Sequence, residues 1–215
     1  MTKNELRRLA GKFIVFDGPD GCGKTTQMKM LIARLECARV KVRQFREPGG
    51  THIGEQVREI LLSTKNEGMD VRCEMLLYMA SRAQLVHEEI RPALAAGECV
   101  VADRFASSTL AYQGGGGGLN VEEVLEVAKI AVDGTWPDLT VVFDLETDVA
   151  MGRLNPLTKD RIEQRSREYF EQVRENYRWQ ARRWPERYRT VDAGRDIPQV
   201  EEQVMTVLRE FFVTE

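Results

Sequence analysis

The sequence predicts an α/β fold built on a parallel sheet with helices on both faces. Two observations carry this. Five short runs rich in Val, Ile and Phe, at 13–16, 40–45, 99–102, 140–143 and 188–191, are separated by stretches with helical spacing. Glycines, acids and arginines then follow directly behind the first three runs. In such folds ligands bind beyond the carboxyl ends of the strands, so those residues are the candidates for function.

In chain order, Met1 to Gly11 carries Lys3, Arg7 and Arg8 with no apolar core behind them. It is read as a frayed or short helical extension rather than a secretory signal, leaving 12–215 as one domain. The first run, Phe13 to Phe16, leads into Asp17 and then Gly18-Pro19-Asp20-Gly21-Cys22-Gly23-Lys24-Thr25-Thr26. This fits GxxxxGK[ST], a P-loop. Its glycines let backbone N–H groups curl around an anion, and the helix starting near Lys24 points its positive end at the same place. Lys24 is expected at the β and γ phosphates and the Thr25 hydroxyl on Mg²⁺. Cys22 is read as a small residue tolerated within the loop.

Behind the second run, Arg46-Glu47-Pro48-Gly49-Gly50-Thr51 sets a tight loop beside a cation. Tyr78 and Arg82 lie one helical turn apart. They form either a base-stacking face with a guanidinium at its edge or a core tyrosine beside a surface arginine. Behind the third run come Asp103, suited to metal-bound water, and Arg104, suited to a phosphate. Ser107, Ser108, Thr109, Tyr112 and Gln113 follow as neutral donors and acceptors suited to a base or sugar. Gly114 to Gly118 is read as a mobile turn near a ligand rather than a linker. Val121, Val124, Leu125, Ala128 and Val132 mark one amphipathic helix, and Ile197, Val200, Val204, Val207, Leu208 and Phe211 mark the last. The arginine-dense 161–189 segment has Glu163, Glu168, Glu171, Glu175 and Glu186 interleaved, which reads as a solvated helix face laced with ion pairs.

Bulk composition limits the partners. The 215 residues are 42% hydrophobic and 30% charged, with a formal net charge of −3, so no strong field invites nucleic acid. No apolar run approaches membrane-spanning length. Cys22, Cys37, Cys73 and Cys99 make no CxxC pair, which suits free thiols in a reducing, cytoplasmic setting. His52 and His87 stand alone in the sequence and are not read as metal ligands.

A phosphate cradle leaves two classes open: a phosphotransferase with an acceptor site, or a nucleotide-driven switch. No NKxD-like guanine reader is present, and the candidates behind the second and third strands favour the phosphotransferase. FDGPDGCGKTT, REPGGT, YMASRAQL, ADRF, SSTLAYQGGGGG, PDLTVVFDLE and DRIE together resemble the thymidylate kinase family over roughly Phe13 to Glu163, with a plausible continuation to the end.

The resemblance implies a P-loop NTPase three-layer αβα sandwich with a central five-stranded parallel sheet and a small helical lid at about 153–163. It implies transfer of the ATP γ-phosphoryl to dTMP with Mg²⁺, in a homodimer. Asp17 matches the acid near the acceptor sugar and metal, and Arg46 and Arg104 match the acceptor-phosphate arginines. Asp103 matches the acid of the metal region. Tyr78 falls where the family usually stacks the base on phenylalanine, and Arg82 at the base edge. Ser108, Thr109, Tyr112 and Gln113 fall in the motif that reads thymine and sugar. The P-loop offers no arginine, so the lid must supply a catalytic cation. Arg153 is the first choice, with Lys159 and Arg161 as alternatives. A kinase for dUMP or another monophosphate, or a regulatory NTPase, remain the competing readings.

Overall fold

The computed structural model describes residues 1–154 and 160–214. Five strands, β1 (Phe13–Asp17), β2 (Val42–Arg46), β3 (Cys99–Asp103), β4 (Leu139–Asp144) and β5 (Tyr188–Asp192), form one sheet in the order β2-β3-β1-β4-β5. Every pairing is parallel. The three central strands are buried almost throughout, as expected where helices cover both faces. β2 starts two residues later than its apolar run, after Arg39 turns the chain at φ 62°.

Alternation along β1 splits the core. Ile14 and Phe16 face a cluster with Leu31 and Leu35 of α2 (Lys24–Cys37) and Val204 and Leu208 of α10 (Ile197–Phe212). Phe13 and Val15 face the other cluster. It holds Met75 and Met79 of α4 (Val71–Leu85) and Val124 and Ala128 of α7 (Val121–Val132). Helix α4 runs on through a π-helical turn, Val86–Ile90, into α5 (Arg91–Ala95). The helix α3 (His52–Leu62) packs beside α4.

One expectation is corrected, and the N-terminal segment takes the helical of its two readings. Helix α1 (Lys3–Arg7) carries a Thr2/Glu5 capping box, and Leu6 and Leu9 are buried in the α2/α10 cluster. The glycine run is not a mobile turn. After α6 (Ala106–Thr109) the chain continues as a π-helix, Leu110–Gly116, crossed closely by α9 (Arg167–Arg183). A Cβ on Gly115 would lie 2.7 Å from Asn176 Cβ, and one on Gly116 would lie 2.6 Å from the Tyr169 ring. Of the expected lid, 155–159 lies outside the described residues. Helix α8 (Thr147–Gly152) ends before Arg153, and 160–163 is a turn held by Asp160 Oδ1, which accepts from the Ile162 and Glu163 amides.

Helix α9 does form the expected ion pairs, but mostly with other elements. Arg167 meets Asp148, and Arg174 and Arg178 meet Asp144 at the end of β4. One face of α9 is buried through Phe170, Val173 and Tyr177, so it is not a solvated helix all round.

Candidate active site

The site lies at the carboxyl edge of the sheet, where the connections from β1 and β3 meet. There Phe16 and Arg46 both sit in register with Asp103. This is the point at which the strand order reverses, a natural crevice for ligands.

The loop after β1 turns at Gly18 with φ 140°, and a Cβ there would stand 2.6 Å from the Phe143 carbonyl oxygen, so only glycine fits. Gly23 precedes α2 in a left-handed conformation with no side-chain cap, leaving the first N–H groups of α2 for an anion. Lys24 Nζ donates to the Gly18 and Pro19 carbonyls at 3.0 and 2.8 Å. Cys22 is buried and its thiol is pushed up by that burial, as suits a packing residue. Thr25 Oγ1 lies 3.2 Å from Asp103 Oδ2, a pair of hard oxygens.

The loop borders a cavity of about 430 Å³ lined by Lys24, Thr25, Thr26, Arg46, Arg58, Asp103, Arg104 and Arg153. Arg46 is half exposed and meets Glu55 at 3.0 Å. Arg153 Nη1 donates to Gly21 O at 3.1 Å, which brings the first-choice lid cation to the P-loop. Arg161 is elsewhere. It is buried against Glu74 at 2.6 Å, and its Nε donates to Leu61 O. Lys159 lies outside the described residues.

A smaller cavity, about 90 Å³, adjoins the first. Tyr78, Pro48, Leu62, Thr109 and Gln113 give it planar and apolar walls, and Asp20, Arg104, Ser108 and Tyr112 give it a polar end. The two cavities share Asp20, Glu47, Arg58 and Arg104.

Arg104, at φ 73°, is the hub. It pairs with Asp20 at 2.6 Å, donates to Gly18 O, Ser108 Oγ and Tyr112 OH, and lies over the Tyr112 ring. Burial pushes the Asp20 carboxyl up, but the Arg104 and Lys24 charges outweigh it and hold the group at about 2.

Two expected contacts differ from the geometry. Asp17 is fully buried, accepting from Ser107, Ser108, Tyr177 and the Gly18 amide. It therefore sits beneath the cavity, and of the two acids flanking Gly18 and Pro19 it is Asp20 that lines it. Arg82 is 1% exposed, paired with Glu47 at 2.6 Å and donating to Thr109 Oγ1 at 3.1 Å. It braces the wall from behind, while Tyr78 lines the cavity. Burial pushes Glu47 up to about 7 against the pull of Arg82.

Sequence reasoning missed Arg58 and Tyr177. Arg58 lines both cavities and donates to Pro48 O at 2.9 Å. In sequence it is one arginine in an amphipathic helix, with no local signal. Tyr177 sits in α9, 160 residues from the Asp17 it bonds at 2.6 Å.

The chain is similar to known thymidylate kinases. The family model described as "Thymidylate kinase" matches residues 16–204. A thymidylate kinase of Pseudomonas syringae pv. tomato is 43% identical over 203 residues, covering 94% of this chain and 97% of its own. One from Caldanaerobacter subterraneus is also 43% identical, with the same coverage. The crystal structure of the Ehrlichia chaffeensis thymidylate kinase superposes with a TM-score of 0.74 at 31% identity, covering 92% of this chain and 98% of that one.

Proposed function

Because the chain belongs to the thymidylate kinase family, we infer that this nucleoside monophosphate kinase transfers the γ-phosphoryl of ATP to dTMP, giving dTDP and ADP. The observation that carries the residue assignment is the wall common to the two cavities, which sets a donor and an acceptor side by side across Arg104.

The reading assigns the triphosphate to the larger cavity, with the P-loop amides and Lys24 on its oxygens. The acceptor base lies in the smaller cavity against Tyr78, beside Gln113 and Thr109. Asp20 meets the sugar, and Asp17 positions Ser108 and Tyr177 beneath it. Arg104 and Arg46 hold the acceptor phosphate, and Arg58 adds a third cation at the junction. The attacking phosphate oxygen is already anionic, so no general base is needed. It bonds the γ-phosphorus as the bond to the β–γ bridging oxygen breaks. Alignment and charge neutralisation supply the rate, and Arg153, on the P-loop side, is the cation assigned to the charge that develops there. Thr25 and Asp103, hard oxygen donors 3.2 Å apart, would hold Mg²⁺, which when bound would supply further positive charge to the phosphates.

Exposed Ile53 and Ile60, two helical turns apart on α3, and Leu76 on α4 support the homodimer. Among the described residues no helix is long and apolar enough to cross a membrane. The four free cysteines support the cytoplasmic placement.

The test is ADP release from Mg-ATP with each nucleoside monophosphate in turn. Strong stimulation by dTMP, less by dUMP and little by AMP, GMP or CMP is expected. Equal release with every acceptor and with none would return the chain to the class of nucleotide switches.

A further inference from the structure

Gln113 and Glu74 are each 1% exposed. Gln113 Nε2 donates to Glu74 Oε1 at 2.7 Å. The other Glu74 oxygen lies 2.6 Å from Arg161 and 3.7 Å from Arg165. A carboxylate facing two guanidiniums only accepts hydrogen bonds. The Gln113 amide therefore has one satisfactory orientation, with its nitrogen toward Glu74. The corner left for the acceptor cavity, which Gln113 lines, is its carbonyl oxygen.

We propose that Glu74 is a specificity-determining positioning residue: by fixing the Gln113 amide it makes the acceptor cavity a site for a pyrimidine with N–H at ring position 3. This rests on the acceptor-site assignment above. Thymine and uracil carry that N–H. Cytosine presents a lone pair there, and two acceptors facing each other in a buried site leave both unpaired. Arg161 completes the device. It holds Glu74 in place, and it ties its own turn to α3 through Leu61. With glutamine at position 74, the side chain can itself donate, which frees the Gln113 amide to turn over and present N–H.

The experiment compares kcat/KM for dTMP and dCMP in wild-type protein and in Glu74→Gln. The dTMP-over-dCMP ratio is expected to fall on the order of tenfold or more in the variant. A merely structural role would lower both values by one factor and leave the ratio unchanged, and that result overturns the proposal. In a Gln113→Leu background, Glu74→Gln should leave the ratio where Gln113→Leu set it, and a further shift also counts against the proposal.

Glu74→Gln leaves Arg161 buried without its counter-charge. Should it fail to fold, Glu74→Gln/Arg161→Gln removes both charges and is held to the same ratio. In the unaltered protein, N3-methyl-dTMP should bind on the order of tenfold or more weaker than dTMP. Equal binding would show that no acceptor faces N3. Wild-type protein that does not phosphorylate dTMP at all would defeat the acceptor assignment itself, a different outcome from an unchanged ratio.

Discussion

Replacing Gly115 by alanine separates a packed helix crossing from a mobile glycine turn, because the two predict opposite signs. In a helix free of neighbours, Gly→Ala stabilises by up to about 1 kcal/mol. Here the new Cβ would stand 2.7 Å from Asn176 Cβ and 3.0 Å from the Gln172 carbonyl oxygen, both on α9. Neither is the far end of a flexible side chain, so helix must move against helix. Overpacking of this kind costs about 1–3 kcal/mol. After the full propensity gain, a net loss of up to about 2 kcal/mol remains. For a chain of 215 residues that corresponds to a fall in Tm of up to about 8 °C. The π-helix also carries Tyr112 and Gln113, so the KM for dTMP should rise while that for ATP changes little. Thermal unfolding and initial-rate kinetics read both effects. Gly152→Ala is the control: nothing lies within 4 Å of its Cβ, and it should be neutral or slightly stabilising. A Gly115→Ala protein more stable than the parent would refute the close-crossing account.

Arg153→Ala should lower kcat on the order of a hundredfold while the KM for ATP stays within a few-fold. Lost ATP affinity with normal kcat would place Arg153 on the donor's binding rather than its chemistry. Asp103→Asn keeps shape but removes the charge beside Thr25. Half-maximal activity should then need roughly tenfold or more Mg²⁺, and an unchanged Mg²⁺ titration would remove Asp103 from the metal. Asp20 is held at about 2, below its usual 3.8. A lowered carboxyl stabilises the fold above its unfolded value and loses that contribution as pH falls from about 3.8 toward 2. The shift corresponds to roughly 2 kcal/mol, or about 1–2 for a side chain one-third exposed. Asp20→Asn should therefore be less stable at pH 7 by that amount and match the parent near pH 2, as read by urea unfolding across pH.

What the sequence makes legible is whatever is local along the chain. Five apolar runs became five parallel strands because each is short, β-branched and bounded by helical spacing. The P-loop is local too, since glycines, lysine and hydroxyls within nine residues form the cradle by backbone geometry alone. Behind β3, Asp103 and Arg104 are brought to the same edge because parallel strands end together. The misreadings arise where meaning depends on a distant segment. Gly115 and Gly116 look like a flexible run until α9, more than 50 residues later, is laid across them. Arg161 looks like a lid cation until Glu74 of α4 is seen to hold it. Asp17 and Asp20 are three residues apart, and sequence cannot tell which lines the cavity. The hydroxyls of Ser107, Ser108 and Tyr177 decide it, by closing around the first and leaving the second at the cavity beside Arg104. Arg58 gives the same lesson in reverse. It carries no motif, yet the fold of REPGGT onto α3 delivers it to the junction of both cavities. The charged residues were visible from the start; their partners were not, and in a site made of arginines and carboxylates the partner determines the role.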